Sequence, residues 1–559
     1  MAESDYKPVI VQSDRSVLLE TDNDSFEDAR DCLAAFAELV KSPEHIHTYR
    51  ISPLSLWNAA AAGMTAKNIV DGLARFSRYE IPQNILVEIE DNVARYGRLK
   101  LYKTEKEQLV LKADDPLLVA ELLNHKTLQP YVAGSPDPTT LLVNPGDRGN
   151  VKSALIKIGF PVEDLAGYIV GAPLPLALRD TALSGAPFSL RAYQIESVSA
   201  FHMRGSNHGG SGVVVLPCGA GKTMVGIGVM DALQTQTLVL TTNTVALRQW
   251  KNELLDKTSL TEDQIGEYSG DTKEIKPVTI ATYQIITYRK TKDSPFVHFD
   301  LFDAGNWGLI VYDEVHLLPA PVFRVTASLQ ARRRLGLTAT LVREDAREDD
   351  VFSLIGPKKY DVPWKVLEKQ GWIAQAVCTE LRVQLPREER FRYAIAGKRD
   401  KFRIASTNPV KDAMVESLIA KHKDDNVLVI GQYLDQLKVM AKRFKAPLIT
   451  GRTPTRDRET LYNAFRNGQE KLLIVSKVAN FAIDLPDANV AIQVSGTFGS
   501  RQEEAQRLGR ILRPKSDNSL ARFYSLVSRD TCDQDYSVKR QLFLTEQGYR
   551  YEIMNAEEA

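Results

Sequence analysis

Apolar residues follow two different patterns along the 559-residue chain, and the change falls near residue 186. Before it, three short stretches carry apolar positions at helical spacing, and two others alternate apolar with polar residues. After it, short runs of Val, Leu and Ile are separated by longer segments of helical periodicity. This second pattern predicts parallel sheets covered by helices. The expected fold class is therefore α/β, with two parallel-sheet domains preceded by small α and α+β domains.

The N-terminal part is predicted to hold two small domains, at 1–112 and 113–185. In the first, helices are expected at 52–63, 65–76 and 82–95, with a hairpin at 99–111. Three helices before a hairpin resemble a winged helix, but Glu88, Glu90 and Asp91 on the third helix favour a protein contact as much as DNA. The second domain combines a helix at 116–123 with a strand at 140–143. Residues 173–187, rich in Pro, Ala and Gly, are predicted to be a linker.

Two larger domains are predicted at 186–365 and 366–545, followed by a tail at 546–559. In the second of them, four apolar runs predict strands at 427–430, 448–451, 472–475 and 490–494. The first carries the most specific motif of the chain, a glycine-rich loop between an apolar run and a helix-compatible segment. The loop is expected to bind nucleotide phosphates through Leu216, Pro217, Cys218, Gly219, Ala220, Gly221, Lys222 and Thr223.

The chemistry of phosphate binding explains those residue types. Glycines let successive backbone N–H groups turn toward phosphate oxygens at a helix N-terminus, where the helix dipole also favours an anion. We expect Lys222 to reach the terminal phosphates and Thr223 to ligate Mg²⁺. Leu216 stands where the general pattern has glycine, so the match to that pattern is not strict.

A second motif follows about ninety residues later, where an apolar run ends in two acids. Asp313 is expected to hold Mg²⁺ through water, and Glu314 to polarise the attacking water. His316, two residues on, is interpreted as a relay between nucleotide and nucleic acid. An acidic turn without a ligand would be an ordinary reading of a lone Asp-Glu pair, but not of one that follows a phosphate loop at this distance.

Other stretches add candidates around this ATP site. Arg510 and Arg513, three apart with Gln506 nearby, are predicted to reach the phosphoryl group from the second large domain, because the guanidinium fork matches its oxygens. Gln194, beside Arg191, can read the adenine edge with its amide. The remaining candidates are hydroxyls at the ends of predicted strands: Thr242 for nucleic-acid phosphates, and Thr338 and Thr340 for coupling between domains.

Composition bears on the nucleic-acid-binding surface and on the cellular compartment of the protein. Lys plus Arg and Asp plus Glu both number 71, so nucleic-acid binding requires a local basic surface. No apolar run reaches the roughly twenty residues of a membrane span, and the acidic N-terminus is not a secretion signal. The four cysteines are scattered singly, which indicates a reducing, cytoplasmic compartment and no metal cluster.

Taken together, these motifs resemble superfamily 2 helicases, and Arg343-Glu344-Asp345 after Thr338-Ala339-Thr340 resembles the XPB DNA repair helicases. The resemblance covers residues 186–540. It implies two RecA-like domains and an ATP- and Mg²⁺-driven 3′-5′ motor on duplex, forked or damaged DNA. It further implies a damage-recognition-like role for 113–185. Further site residues follow from it: Lys477 and the triplet would contact DNA, and Asp484 would lie near the nucleotide.

Members of this family carry a thumb-like insertion, and residues 382–410 match it. Between 382 and 403, eight basic residues outnumber three acids, and Phe391, Tyr393 and Phe402 are interspersed. Basic and aromatic residues together grip a backbone and stack on bases, so Arg399 and Lys401 are predicted to bind DNA. The alternative is a pair of solvated helices.

Three functions stay open from the residues alone: a DNA helicase or duplex translocase, the same enzyme on RNA, and a nucleotide-switched recruitment platform. A helicase with an iron–sulfur cluster is excluded, because Cys218 is the only cysteine between the glycine loop and the acid pair. A monomer is expected, with a repair nuclease as a possible partner and no membrane contact.

Overall fold

The computed structural model describes residues 6–556, with gaps. The gaps are 42–44, 145, 207–208, 218, 292–293, 295, 320, 323–325, 327–331, 340–347, 363–366, 368–369, 371–375, 477–487, 497–520 and 547–549. Within the described residues, two small sheets precede two seven-stranded sheets. No helix in these parts of the chain has the length and apolar composition needed to cross a bilayer.

The first N-terminal unit is an antiparallel sheet of order β1-β2-β4-β3 with four helices. Its elements are β1 Val9–Val11, β2 Ser16–Glu20, α1 Phe26–Ala34, β3 Glu38–Lys41, β4 Ile46–Arg50, α2 Pro53–Ala61, α3 Ala66–Phe76 and α4 Gln83–Arg95. The three predicted helices are confirmed, and the Thr65 hydroxyl caps α3 by accepting a hydrogen bond from the Asn68 N–H. The sheet has no counterpart in the predicted elements, because strands of three to five residues give too few apolar alternations to stand out.

The second N-terminal unit packs two helices on a sheet of order β7-β8-β6-β5-β9. Its elements are β5 Leu99–Lys103, β6 Leu109–Ala113, α5 Pro116–Asn124, β7 Val132–Asp137, β8 Thr140–Val143, α6 Arg148–Lys157 and β9 Val162–Asp164. The predicted hairpin, β5–β6, forms the middle of this sheet. The break between units therefore lies near 96–98 and not at 112, and the hairpin is no wing of the first unit. The alternation of apolar and polar residues in the hairpin does not indicate which strands it pairs with, so the sequence could not place it in this sheet.

Residues 170–187, here called the strap, lie against the first large domain and are not a free linker. Leu174 and Leu176 are both 4% exposed and pack in that domain's core. The Leu174 N–H donates to the Gln234 carbonyl at 2.9 Å, and the Arg179 N–H donates to the Lys257 carbonyl at 2.9 Å. The Pro, Ala and Gly residues of the strap resemble a linker composition, and for this reason the sequence did not indicate that its two leucines are core residues.

The first large domain is an all-parallel sheet of order β12-β13-β11-β14-β15-β10-β16. Its elements are α7 Ala192–His202, β10 Ser211–Val215, α8 Lys222–Leu233, β11 Thr237–Thr241, α9 Thr244–Lys257, β12 Ile265–Tyr268, β13 Val278–Thr282, α10 Tyr283–Ile286, α11 Leu301–Ala304, β14 Leu309–Asp313, β15 Arg333–Thr338, α12 Glu348–Asp350 and β16 Lys358–Asp361. Strands covered on both faces read as continuous apolar runs. Because β14, β15 and β10 are neighbours, their carboxyl ends meet at one edge of the sheet.

The second large domain is also all parallel, in the order β19-β20-β18-β21-β22-β17-β23. Its elements are β17 Ala376–Val383, α13 Arg387–Ile395, α14 Lys398–Ser406, α15 Pro409–Lys421, β18 Val427–Gly431, α16 Leu434–Phe444, β19 Leu448–Ile449, α17 Thr455–Arg466, β20 Leu472–Ser476, β21 Val490–Gln493, β22 Ala521–Ser528, α18 Cys532–Glu546 and β23 Arg550–Asn555. The four predicted strands are confirmed. The predicted tail at 546–559 instead contains β23, which pairs with β17 along six residues.

A buried ionic cluster joins the second N-terminal unit to the first large domain. The Asp164 carboxylate accepts hydrogen bonds from Arg148 at 2.8 Å and Lys152 at 2.9 Å, and Arg334 of β15 lies near. Burial would raise the pKa of Asp164, but the charges of Lys152 and Arg148 outweigh it and lower that pKa. Burial lowers the pKa of Lys152 to about 8. The Asp164 charge acts against this change, but Arg334 and Arg148 add to it, so the pKa stays low. One carboxylate thus binds two buried cations inside the interface, and a third, Arg334, lies near it.

Candidate active site

The glycine loop turns the chain from β10 into α8. Gly219 and Gly221 have φ of 81° and 76°, in the left-handed region that favours glycine. A Cβ on Gly221 would lie 2.6 Å from Nε2 of Gln194, so space as well as conformation requires glycine here. Gly221 is the N-cap of α8, and Lys222 and Thr223 form its first turn. The loop therefore directs a helix N-terminus and two functional side chains toward the same edge of the sheet.

Helix α7 supports this loop from behind. The Tyr193 hydroxyl and the Gln194 amide both donate to the Ala220 carbonyl, at 2.7 and 3.1 Å. The Gln194 carbonyl oxygen accepts from the Arg191 backbone N–H at 2.9 Å, and the Arg191 guanidinium donates to the Tyr193 hydroxyl at 3.0 Å. In this state the Gln194 amide holds the loop. Recognition of adenine by Gln194 stays a prediction.

The acid pair stands at the end of β14, opposite the loop. Glu314 has φ of 50°, a left-handed conformation that is uncommon for a residue with a side chain. Its Oε1 lies 3.2 Å from Nζ of Lys222, and both side chains are only 12–13% exposed. Asp313 Oδ2 accepts a hydrogen bond from the Trp250 indole at 2.9 Å. The strained turn thus coincides with the ion pair between the two motifs.

The electrostatics of this pair suit a cation. Burial, and after it the neighbouring Glu314 carboxylate, raise the pKa of Asp313 to about 6, against the opposing effects of the Trp250 hydrogen bond and Lys222. Two acids side by side repel each other, and an added divalent cation relieves that repulsion.

His316 connects the acid pair to the end of β15. It lies in a short 3-10 turn, Val315–Leu317, and its Nδ1 is 2.5 Å from the Thr338 hydroxyl and 3.5 Å from Glu314 Oε2. The Thr338 carbonyl in turn accepts from the Leu216 N–H at 2.9 Å, at the start of the glycine loop. Side chains from three predicted motifs therefore meet in one contact network.

These residues fit a nucleotide with Mg²⁺. The loop offers backbone N–H groups and Lys222 to phosphate oxygens, and the close approach of the Gln194 amide behind Gly221 keeps the loop in its glycine conformation. Thr223 and Asp313 supply a hydroxyl and a carboxylate, which are the oxygen donors that Mg²⁺ prefers. The donor set matches the chemistry expected for the two motifs.

Comparison with known proteins covers nearly the whole chain. It is 56% identical over 551 residues to the DNA 3′-5′ helicase XPB of Kineococcus radiotolerans, covering 99% of this chain and 97% of that protein. It is also 56% identical over 551 residues to the DNA 3′-5′ helicase XPB of Mycobacterium tuberculosis, covering 99% and 98%. The chain belongs to the XPB family of helicases. The predicted family and enzyme class are confirmed.

Three family models match different parts of this XPB family member. The ERCC3/RAD25/XPB C-terminal helicase model matches residues 367–559, and the model of the type III restriction enzyme res subunit matches 187–343. The model described as helicase conserved C-terminal domain matches 9–134. The ATP-dependent type ISP restriction-modification enzyme LlaBIII bound to DNA has a TM-score of 0.50 at 12% identity, over 67% of this chain and 31% of that one. This last likeness shows the shared fold alone.

Some predicted site residues of the XPB motifs lie outside the described residues. They are Cys218, Thr340, Arg343, Glu344, Asp345, Lys477, Asp484, Gln506, Arg510 and Arg513. Their roles stay predictions.

The predicted DNA-contact residues that the structure describes lie in both large domains. Thr242 follows β11 at the carboxyl edge of the first sheet, and its hydroxyl accepts from the Asn243 amide at 3.3 Å. Arg399 is exposed on α14, whereas the Lys401 ammonium lies 5.4 Å from the centre of the Tyr393 ring. Burial raises the pKa of Tyr433, and Arg403 and then Arg399, both on α14, act against that rise. Arg399 thus lies near Tyr433, the residue immediately before α16.

Three aromatic residues of the site were missed by sequence reasoning. Tyr193 and Trp250 contact the loop and Asp313 as described above, and the Tyr283 hydroxyl donates to the Asp313 carbonyl at 2.9 Å. Each occupies an apolar position whose spacing predicts only core packing. Nothing in the sequence signals that their polar atoms reach the motifs.

Proposed function

We propose that this chain couples hydrolysis of Mg²⁺-bound ATP to 3′-5′ movement on DNA, and that this movement separates strands during repair. The observation that carries the proposal is the convergence of Lys222, Glu314, His316 and Thr338 at adjacent strand ends. The 56% identity to two DNA 3′-5′ helicases supports DNA as the track. RNA as the track has no comparable support.

The geometry of the described residues supports the roles proposed here for the loop, Asp313 and Glu314, and the sequence supports those of Arg510 and Arg513. Gly219–Thr223 would hold the phosphates, with Thr223 and Asp313 toward Mg²⁺, which offsets the charge of the transferred phosphoryl group when bound. Lys222 would exchange its ion pair with Glu314 for phosphate oxygens. The Glu314 carboxylate, held by the turn at the end of β14, would then orient a water and accept its proton. Arg510 and Arg513 would approach from the second large domain as it closes.

Coupling to DNA would pass through His316. Its imidazole contacts both Glu314 and Thr338, and Thr338 ends the strand that precedes the predicted Arg343-Glu344-Asp345 triplet. A change in the charge or position of Glu314 would therefore move His316 and Thr338, and with them the start of a segment predicted to contact DNA. Operation as a monomer, in the cytoplasm and beside a repair nuclease, belongs to the same proposal but has only sequence-based support.

The test uses Glu314→Gln, with Glu262→Gln, an exposed acid of the same domain, as the matched control. General-base catalysis contributes roughly 10²- to 10⁴-fold, so Glu314→Gln should lower DNA-stimulated ATPase by that factor while ATP binding persists. Strand displacement would be followed on duplexes with a 3′ or a 5′ tail, where only the 3′-tailed substrate should be opened. Substantial ATPase in Glu314→Gln, or opening of 5′-tailed duplexes alone, contradicts the proposal.

A further inference from the structure

Two buried aromatic side chains hold Asp313, one at its carboxylate and one at its backbone. The Trp250 indole donates to Asp313 Oδ2, and the Tyr283 hydroxyl donates to the Asp313 carbonyl, both at 2.9 Å. Trp250 is 1% exposed and Tyr283 is 4% exposed. Water therefore competes little for either hydrogen bond, and the close-packed core around the two rings restricts their movement.

The indole of Trp250 lies in a tight slot between α9, which carries it, and α8. A Cβ on Gly226 of α8 would lie 2.4 Å from Cη2 of Trp250 and 3.3 Å from Cδ1 of Leu337 on β15. Glycine inside a helix is unfavourable by itself, so this slot gives a reason for it. Gly226 lies about one turn after Lys222, the residue that begins α8. The missing side chain thus lets the ring pass beside the phosphate-loop helix and reach Asp313.

Tyr283 reaches Asp313 from farther along the sheet. It is the first residue of α10, which follows β13, and β11 separates β13 from β14. The carbonyl that it binds belongs to the peptide bond leading into Glu314, whose φ of 50° is uncommon for a residue with a side chain. Such a conformation persists only where the surrounding structure fixes it. The Tyr283 hydroxyl is one of the groups that hold this turn.

We propose that Trp250 and Tyr283 are positioning residues for ATP hydrolysis and that their tasks are separate. Trp250 sets the orientation of the Asp313 carboxylate toward Mg²⁺. Tyr283 sets the turn that places the Glu314 carboxylate against the attacking water. Each acts through its acidic partner, in the way that hydrogen-bond partners of a metal ligand orient that ligand. The inference rests on the proposed function, because it takes Asp313 to face Mg²⁺ and Glu314 to be the base.

The task of Trp250 is tested by calorimetric binding of the non-hydrolysable ATP analogue AMPPNP, once with Mg²⁺ and once with EDTA. The ratio of the two affinities measures the contribution of the metal. Trp250→Phe should lower this ratio roughly 10- to 100-fold and keep the affinity in EDTA within about twofold of wild type. Gly226→Ala should act in the same direction, because the added methyl group displaces the indole while the tryptophan remains.

Trp307→Phe is the matched control for Trp250→Phe. The Trp307 indole is also fully buried in this domain, but it donates to the Leu301 carbonyl at 3.0 Å. We expect this variant to lose stability and to keep the ratio of affinities. A comparison of the two variants therefore separates the orientation of Asp313 from the loss of a large core side chain.

The task of Tyr283 is tested with Tyr283→Phe, which removes the hydroxyl alone. The kcat of DNA-stimulated ATPase should fall about fivefold, the effect of one ordinary hydrogen bond, while KM for ATP and the metal ratio stay unchanged. Tyr312→Phe is the control, since it loses a buried hydroxyl that lies 3.1 Å from the Thr326 hydroxyl. In the unliganded protein, the amides of 313–316 should exchange hydrogen faster in Tyr283→Phe than in Tyr312→Phe.

The outcomes distinguish the inference from the proposed function. An unchanged ratio in Trp250→Phe and Gly226→Ala, or an equal loss in Trp307→Phe, overturns the task of Trp250. Equal kcat and equal exchange in Tyr283→Phe and Tyr312→Phe overturn that of Tyr283. Should Trp250→Phe fail to fold, Gly226→Ala decides. In all these cases the proposed function stands, whereas a wild-type protein whose affinity for AMPPNP is not raised by Mg²⁺ overturns both.

Discussion

Asp164→Asn should weaken the joint between the second N-terminal unit and the first large domain. The wild-type carboxylate is 7% exposed and accepts hydrogen bonds from Arg148 and Lys152, with Arg334 nearby. Asparagine keeps the shape but removes the negative charge that Arg148 and Lys152 bind and that Arg334 lies near. Breaking a buried ion pair from one side costs about 3–5 kcal/mol. For a cooperative unit of 150–250 residues this lowers the midpoint of thermal unfolding by roughly 6–20 °C.

The pH dependence of this effect has a definite sign. The pKa of Asp164 is lowered in the folded protein, so its contribution to the free energy of unfolding is complete above the unfolded value of about 3.9 and disappears as pH falls further. Wild type and Asp164→Asn should therefore differ most at neutral pH and converge below about pH 4. Lys152→Met should be less harmful than Asp164→Asn, because burial already disfavours the charged lysine, whose pKa is about 8.

Calorimetry at pH 7 and limited proteolysis of the strap would measure this, with Asp114→Asn as the control. Asp114 pairs with Arg98 at 3.1 Å but is 53% exposed, so its loss should cost no more than about 1 kcal/mol. Unfolding of a chain with several domains is not two-state, so the comparison concerns the transition that the two variants share. Equal midpoints for Asp164→Asn and Asp114→Asn would refute the reasoning.

Two further predictions concern the nucleotide site and the strap. Trp250→Phe removes a hydrogen bond that lowers the pKa of Asp313, so the acid limb of ATPase against pH should move up by about one pH unit; a profile identical to wild type would show that Trp250 only fills space. Leu174→Ala and Leu176→Ala should each lower the free energy of unfolding by about 2–5 kcal/mol. A chain beginning at residue 186 should accordingly aggregate where one beginning at 169 stays soluble, and equal solubility would contradict the role of the strap.

The parallel sheets and the candidate nucleotide site were predictable because their signals are local. Continuous apolar runs mark buried strands, and a phosphate loop needs its glycines and lysine next to one another. The meeting of His316 with Thr338 follows from strand order, since β14 and β15 are neighbours and both motifs end their strands. The distance between the Lys222 and Glu314 side chains, in contrast, could not be predicted from the sequence and is known only from the coordinates.

The errors have physical causes of a different kind. Leu174 and Leu176 are core residues in a segment whose Pro and Ala content resembles a linker. The hairpin β5–β6 has the same alternation whether it closes the first unit or lies in the middle of the next sheet. In the thumb-like insertion, composition indicates base stacking for three aromatic residues. Only coordinates separate Tyr393 and Phe402, which contact Cys532 and Tyr536 of α18, from the exposed Phe391.

The pairing of β23 with β17 affects how the second large domain is made. Val377 is in register with Arg550, so roughly 170 residues must leave the ribosome between the two strands. At typical elongation rates this takes on the order of 10–30 s. The other neighbour of β17, β22, is also synthesised late, so for most of this time β17 has no strand to bind on either side. Such an edge invites pairing with other chains. We expect the nascent domain to need protection from aggregation during this interval, and slow codons between the two strands to lower the yield of folded protein.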